Sequence, residues 1–222
     1  MVLTALRGAV GFLTRLPVGH DESAWDAFRA LPATMPLVGY LVGAVIAIPL
    51  VAPLPAPSAA FAFLATVYLL TGITHVDGIA DLGDAAVVHG DSRRRIEVMK
   101  DSVVGTGGAL AVGITLLGLA TAALSIAGLS WRALGIVVAA EVGAKAIVAL
   151  LVCFGRPAVD GLGAAVADDA NGWTALSVLV VLAPATVLAW PIPLASLAAV
   201  LAALTTGALV YAWASRALGG LN

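Results

Sequence analysis

Residues Gly72 to Gly108 read GITHVDGIADLGDAAVVHGDSRRRIEVMKDSVVGTGG, and long apolar runs flank them on both sides. This stretch holds five of the ten aspartates, two of the three histidines and four of the eleven Lys and Arg residues. Charge so concentrated is costly beside lipid, so an apolar chain keeps it where chemistry or solvent demands it. The whole chain of 222 residues is 61% hydrophobic and only 11% charged, with a mean hydropathy of +1.06. Those values exclude an ordinary soluble domain. The net charge of −2 gives no hint of nucleic acid as a partner, because the basic residues are few and form no extended stripe, so none is expected.

Outward from the cassette, several apolar runs approach the ~20 residues that cross a bilayer as a helix. Upstream these are Pro36 to Val51, ended by Pro53, Pro55 and Pro57, and Ser58 to Thr74, which delivers the chain into His75. Downstream they are Gly108 to Leu129, Ala133 to Phe154, Trp173 to Trp190 and Ile192 to Trp213. Pro36 is expected at the first helical position, N1. Val2, Leu3, Leu6, Val10 and Leu13 recur at helical spacing, which predicts an N-terminal helix lying in the interface and stopped by Pro17. Its apolar part, broken by Arg7, is too short for a secretory leader, so none is expected. A short helix capped by Ser23 or Asp26 follows. The expected fold is an all-α, polytopic membrane bundle of about six transmembrane helices plus the interfacial one, a single domain over residues 1–222.

Alternation of these spans puts Arg7, Arg15, Arg29, Arg93, Arg94, Arg95, Lys100, Arg156 and Arg216 on one side, nine of the eleven basic residues. Arg132 falls opposite and Lys145 lies within a span. Basic residues favour the cytoplasmic side, so the N-terminus, the cassette and the 155–172 loop are expected there, in the cell membrane.

Asp77, Asp81 and Asp84 are spaced i, i+4, i+7, which places them within about 60° of one another on a helix. Like charges this close repel and call for a cation. Hard carboxylate oxygens favour Mg²⁺, with Mn²⁺ the second choice and phosphate oxygens completing the shell. The bland alternative is a solvated helix face. Against it, Gly78, Ala80, Gly83 and Ala85 leave room for a bulky ligand. Asp91 and Ser92 form a cap for a short helix carrying Arg93, Arg94, Arg95 and Lys100, some of which suit a diphosphate. Arg93 and Arg95 are explained well enough by positive-inside anchoring. Asp101 and Ser102 precede Gly105, Gly107 and Gly108, a glycine-rich helix start that offers N–H groups to an anion.

The paired pattern H75-x-D77-G78-x-A80-D81-x-x-D84 and E97-x-M99-K100-D101-S102-x-x-G105-x-x-G108 resembles the signature of the cobalamin synthase family, the adenosylcobinamide-GDP ribazoletransferases. F12-L13-T14-R15-L16-P17-V18, P36-L37-V38-G39 and G161-L162-G163 extend the resemblance over nearly the whole chain. It implies an integral-membrane, Mg²⁺-dependent transferase in which α-ribazole, or its 5′-phosphate, attacks the cobinamide-linked phosphate of adenosylcobinamide-GDP and GMP leaves. Asp77, Asp81, Asp84 and Asp101 would hold metal; Arg94, Lys100, Ser102, Gly105 and Gly108 would contact substrate. A carboxylate, Asp84 by preference, or else His75 or His89, would accept the proton. Three features depart from the family: Val103 replaces a common Arg and Ala85 a frequent glycine. The chain also ends at L218-G219-G220-L221-N222, where members usually continue into Gly-Asp-x-x-Gly-Ala and a further helix, so a shortened C-terminus is expected.

Glu141 and Lys145 sit one turn apart within a span, either as an ion pair facing the bundle interior or as a substrate contact. Asp160, Asp168, Asp169 and Asn171 read as loop, and His20 as a surface histidine. The five tryptophans sit near expected helix ends, as an aromatic belt would place them. Single Cys153 allows no intrachain disulfide, and nothing in the sequence sets an oligomeric state. Two rival functions fit less well. A CDP-alcohol phosphotransferase would have Arg after Ala80 and two further spaced aspartates; here Asp81 follows. A cation transporter would carry its acids near the bilayer midplane on repeated, interrupted helices.

Overall fold

The computed structural model describes residues 1–19, 21–154 and 172–219. Among them regular structure is helical only: α1 Val2–Leu13, α2 Glu22–Arg29, α3 Thr34–Val51, α4 Ala56–Thr71, α5 Thr74–Val87, α6 Ser92–Met99, α7 Thr106–Ile126, α8 Trp131–Phe154, α9 Gly172–Leu182 with a 3₁₀ turn at Ala183–Val187, and α10 Pro193–Ala217. His20, Arg156, Asp160, Gly161-Leu162-Gly163, Asp168, Asp169 and Asn171 lie outside the described residues.

The central contact is α3 against α8. Val38, Val42, Ile46 and Leu50 of α3 meet Val138, Val142, Ala146 and Ala149 of α8, all buried. Gly39 and Gly43 make this approach possible: a Cβ on them would lie 2.8 Å from the Val142 Cα and 2.7 Å from the Val138 Cα. With lipid outside, close backbone packing of small residues is what holds such helices together. α10 joins the other flank of α8, where Gly143 faces Val200. The most apolar 18 residues of α3 and α8 are 56% and 44% buried, against 6% in α7 and 11% in α10. The first two helices therefore form the centre of the bundle, and the last two face lipid.

Among the described residues α3, α7, α8 and α10 are long and apolar enough to span a membrane, and α4 and α5, bent by 96° from each other, are so when taken together. Among the described residues the remaining expected span, Trp173 to Trp190, is a shorter apolar segment that changes from α-helix to 3₁₀ helix within its length. Pro184 has no N–H to continue the ladder, and the α-helix gives way to the 3₁₀ turn after Leu182. Tyr40 donates its hydroxyl to the Val181 carbonyl at 2.9 Å and so ties this short segment to α3. Helix starts differ by small amounts for local reasons. α3 begins at Thr34, so Pro36 sits third; its missing N–H is harmless in a first turn, where donors have no intrahelical acceptor.

α1 and α2 form a small unit at the cassette end. Gly8 allows the crossing, since a Cβ there would fall 2.1 Å from the Ala24 carbonyl oxygen. The rings of Phe12, Trp25 and Phe28 cluster with centroids 5.3–5.7 Å apart, so Trp25 belongs to a core and not to a belt. Asp21, not Ser23 or Asp26, caps α2: its carboxylate accepts from the Ala24 N–H and the Ser23 hydroxyl, each at 2.7 Å. The Ser23 and Ala24 hydrogen bonds, with help from Arg7 at 3.0 Å, hold the Asp21 carboxyl below the usual carboxylate value. The Arg15 N–H donates to the Leu70 carbonyl at 2.8 Å, fastening this unit to the end of α4 beside the cassette.

Candidate active site

The site begins where α4 stops. Gly72 adopts φ +76°, a left-handed value that favours glycine, and a Cβ there would also lie 2.8 Å from the Arg15 Cδ. The chain turns sharply and restarts at Thr74, so the helix expected to reach Thr74 ends at Thr71 and a new one begins at Thr74. α5 then runs beside the start of α7. Gly83 and Gly107 let the two backbones touch: a Cβ on Gly83 would lie 2.7 Å from the Gly107 carbonyl oxygen.

Asp84 locks this contact. Its Oδ2 accepts from the Gly105 N–H at 2.7 Å and its Oδ1 from the Gly108 N–H at 2.8 Å. A carboxylate is thus delivered from one helix to the N-terminus of another, where orphan amides and the helix dipole favour negative charge. The glycines have a steric reason as well. A Cβ on Gly105 would sit 2.4 Å, and one on Gly108 2.6 Å, from an Asp84 oxygen. The amides expected to face a phosphate are therefore given to Asp84, whose two oxygens are both engaged.

Asp77 is exposed and Asp81 half-buried, and neither carboxylate has a hydrogen bond or ion pair among the described residues. Asp101 turns back on its own loop, its Oδ1 accepting from the Val103 N–H at 3.2 Å. No three His, Cys, Asp or Glu side chains come together as a metal-binding group among the described residues. The four aspartates therefore divide into two open carboxylates, one that caps a helix and one that shapes a loop.

Asp91 caps α6 by accepting from the Arg94 N–H at 3.0 Å, as its sequence indicates. Arg95 donates to the carbonyls of Ala85 and Ala86, clamping α6 over the last turn of α5, whose carbonyls lack helical partners. Arg93 and Arg94 lie in solvent and share Glu97, at 3.6 and 3.3 Å. Lys100 ends α6 and lines a cavity of about 560 Å³ together with Gly78, Asp81 and Met99. The structure thus brings Asp81 and Lys100 to one cavity and leaves Arg94 and Ser102 at the exposed surface.

The far wall of that cavity comes from α8 and from one face of α10, Gly207, Val210, Tyr211, Ala214 and Leu218. Sequence reading missed it. The i, i+3, i+4, i+7 spacing was visible, but in a membrane helix it does not separate a cavity wall from a lipid-facing stripe. His75 lies elsewhere. It lines a separate apolar recess of about 120 Å³ between α4, α5 and α7, within electrostatic reach of Glu141 and Lys145. Those two form an ion pair inside α8, with the Lys145 side chain 9% exposed and that of Glu141 22%. His89 is exposed beyond the end of α5.

Comparison with known proteins now adds to this geometry. A family profile described as cobalamin-5-phosphate synthase matches residues 5–222. A protein of Halorubrum lacusprofundi named adenosylcobinamide-GDP ribazoletransferase is 53% identical, covering all of this chain and 90% of its own length. One of the same name from Haloquadratum walsbyi is 45% identical with the same coverage of both chains. Another from Halobacterium salinarum is 42% identical over 74% of this chain and 83% of its own. No solved structure matches. The open carboxylates on a kinked membrane helix, the end-to-end match and these identities agree: the chain belongs to the cobalamin-5-phosphate synthase family.

Proposed function

We propose that the chain joins α-ribazole, or its 5′-phosphate, to adenosylcobinamide-GDP with release of GMP, giving adenosylcobalamin or its 5′-phosphate. One observation carries this reading: Asp81, without a hydrogen-bond or ion-pair partner among the described residues, and Lys100 share a cavity large enough for a nucleoside, in a chain that matches the family from residue 5 to 222. In the exchange, a ribazole hydroxyl oxygen bonds to the cobinamide-linked phosphorus. The bond from that phosphorus to the bridging oxygen breaks, and GMP leaves with the electron pair. The hydroxyl proton passes to an Asp81 oxygen not engaged by metal, in preference to Asp84, whose oxygens already accept two amide hydrogens. Lys100 offsets the charge growing on the departing phosphate.

Asp77 and Asp81 suit a magnesium ion, which typically takes one or two carboxylates and fills its shell with phosphate oxygens and water. A third protein ligand is not required. When bound, Mg²⁺ or Mn²⁺ would supply charge neutralisation at the diphosphate. Nine of the eleven Lys and Arg residues fall at the cassette end of the alternating helices, so we place the site on the cytoplasmic side of the cell membrane. GMP release by the protein in liposomes, with and without Mg²⁺, tests the reading. Asp81→Asn is expected to lose at least about two orders of magnitude in turnover while keeping its thermal midpoint. Near-normal release by Asp81→Asn, or release indifferent to chelation, overturns the metal-site reading.

A further inference from the structure

The cavity shared by Asp81 and Lys100 has two unlike ends. At the cassette end it carries Gly78, Asp81 and Lys100. Deeper, its walls are Ile147, Val148 and Leu151 of α8 facing Val210 and Tyr211 of α10. Its floor lies where the two helices close on each other: a Cβ on Gly207 would lie 2.5 Å from the Ile147 Cγ1. Tyr211 is half-buried, and Val148 and Val210 are 47% and 43% exposed, so the apolar wall is open to an incoming group.

We infer that this cavity is the subsite for the aromatic base of the attacking nucleoside, with the Tyr211 ring stacked on that base and the ribose turned toward Asp81 and Lys100. The inference rests on the function proposed above and names which part of which substrate enters. Three groups compete for the space. The corrin macrocycle, with its side chains, is too large for a volume of about 560 Å³, which lies within the ~300–1,000 Å³ typical of small-molecule sites. Guanine would bring several hydrogen-bonding groups against Ile147, Val148, Leu151 and Val210, none of which has a side chain able to pair with them. The dimethylbenzimidazole of α-ribazole is flat, apolar and nearly free of such groups. It gains from the wall what guanine would lose, and the nucleoside's polar end then reaches the acid and the lysine.

The test is steady-state kinetics of GMP release in liposomes, with the KM of each substrate measured separately. Tyr211→Ala is expected to raise the KM for α-ribazole at least about fivefold and leave the KM for adenosylcobinamide-GDP within about twofold. Tyr211→Phe, which keeps the ring, should raise it less. Val148→Trp, a bulky change at an exposed position, fills the cavity and should also raise the α-ribazole KM. A rise in the adenosylcobinamide-GDP KM instead would put guanine in the cavity and overturn the inference, as would an unchanged α-ribazole KM in Tyr211→Ala or Val148→Trp. The absence of GMP release by the unaltered protein would overturn the proposed function itself, an outcome distinct from either.

Discussion

Asp84 shows how one residue can change meaning when its surroundings are known. Its i, i+4, i+7 relation to Asp77 and Asp81 marks one acidic face, and that much was legible, because spacing along a helix is a local property. Its partners, the amides of Gly105 and Gly108, lie 21 and 24 residues away, and no local window shows a cap delivered from another helix. The glycines were legible as glycines, but not as the space the carboxylate occupies. Asp91 is the contrast: it caps the helix it precedes, three residues from its donor, and its role follows from sequence alone. A structural and a catalytic Asp84 differ in what a substitution does. Asp84→Ala leaves two half-buried amides unsatisfied and removes a charge from a helix N-terminus, so a loss of about 1–3 kcal/mol of stability is expected. Thermal unfolding in detergent measures it. The same assay should show Asp81→Asn close to the unaltered protein, and an Asp84→Ala midpoint unchanged from it would remove the cap as an explanation.

At the scale of elements, most helices were legible because apolar length is a strong signal, and the failures have two physical causes. Gly72 ends α4 through a backbone conformation, and Pro184 ends α9 through a missing donor; hydropathy registers neither. The same scale decides the case of Glu141 and Lys145, left open between an ion pair and a substrate contact. A lysine or aspartate at the centre of a membrane helix costs about 2.5–3.5 kcal/mol on insertion scales, so the two charges are kept for a reason. The structure pairs them inside α8, beside the face on which Gly39 and Gly43 bring α3 close. Neither lines the cavity of Asp81 and Lys100. Removing one partner should therefore cost more than removing both: Lys145→Met is expected to lose about 2–3 kcal/mol, below the full cost for a buried pair, by leaving the half-buried Glu141 carboxylate unpaired. The double change Glu141→Leu with Lys145→Met should recover most of that loss and retain GMP release. A double variant that is stable but inactive would assign the pair to the reaction instead of to the bundle.

Across the whole molecule, helix order carries a statement that no single contact makes. α1 and α2 are fastened to the end of α4 through Arg15, α6 is clamped to α5 by Arg95, and Ala214 and Leu218 at the end of α10 pack on Ala85. One end of the bundle thus gathers the N-terminal unit, the acidic helix and the last turn of α10 with Arg216. The opposite end carries the links from Ala52 to Pro55 and from Ala127 to Ser130, where Arg132 is the adjacent basic residue. This asymmetry was legible from charge alone, and the proposed function gives it a reason: the gathered end is where water-soluble nucleotides would meet the open carboxylates. The proposed orientation makes Ser92 cytoplasmic and Ser130 external, both exposed. In a Cys153→Ala background, Ser130→Cys is expected to react with a membrane-impermeant maleimide in intact cells. Ser92→Cys should react only after the membrane is opened. The reverse pattern would put the carboxylates on the side away from the nucleotide pool. No rearrangement of the site residues would then rescue the proposed reaction, because both substrates would have to cross the bilayer before meeting Asp81.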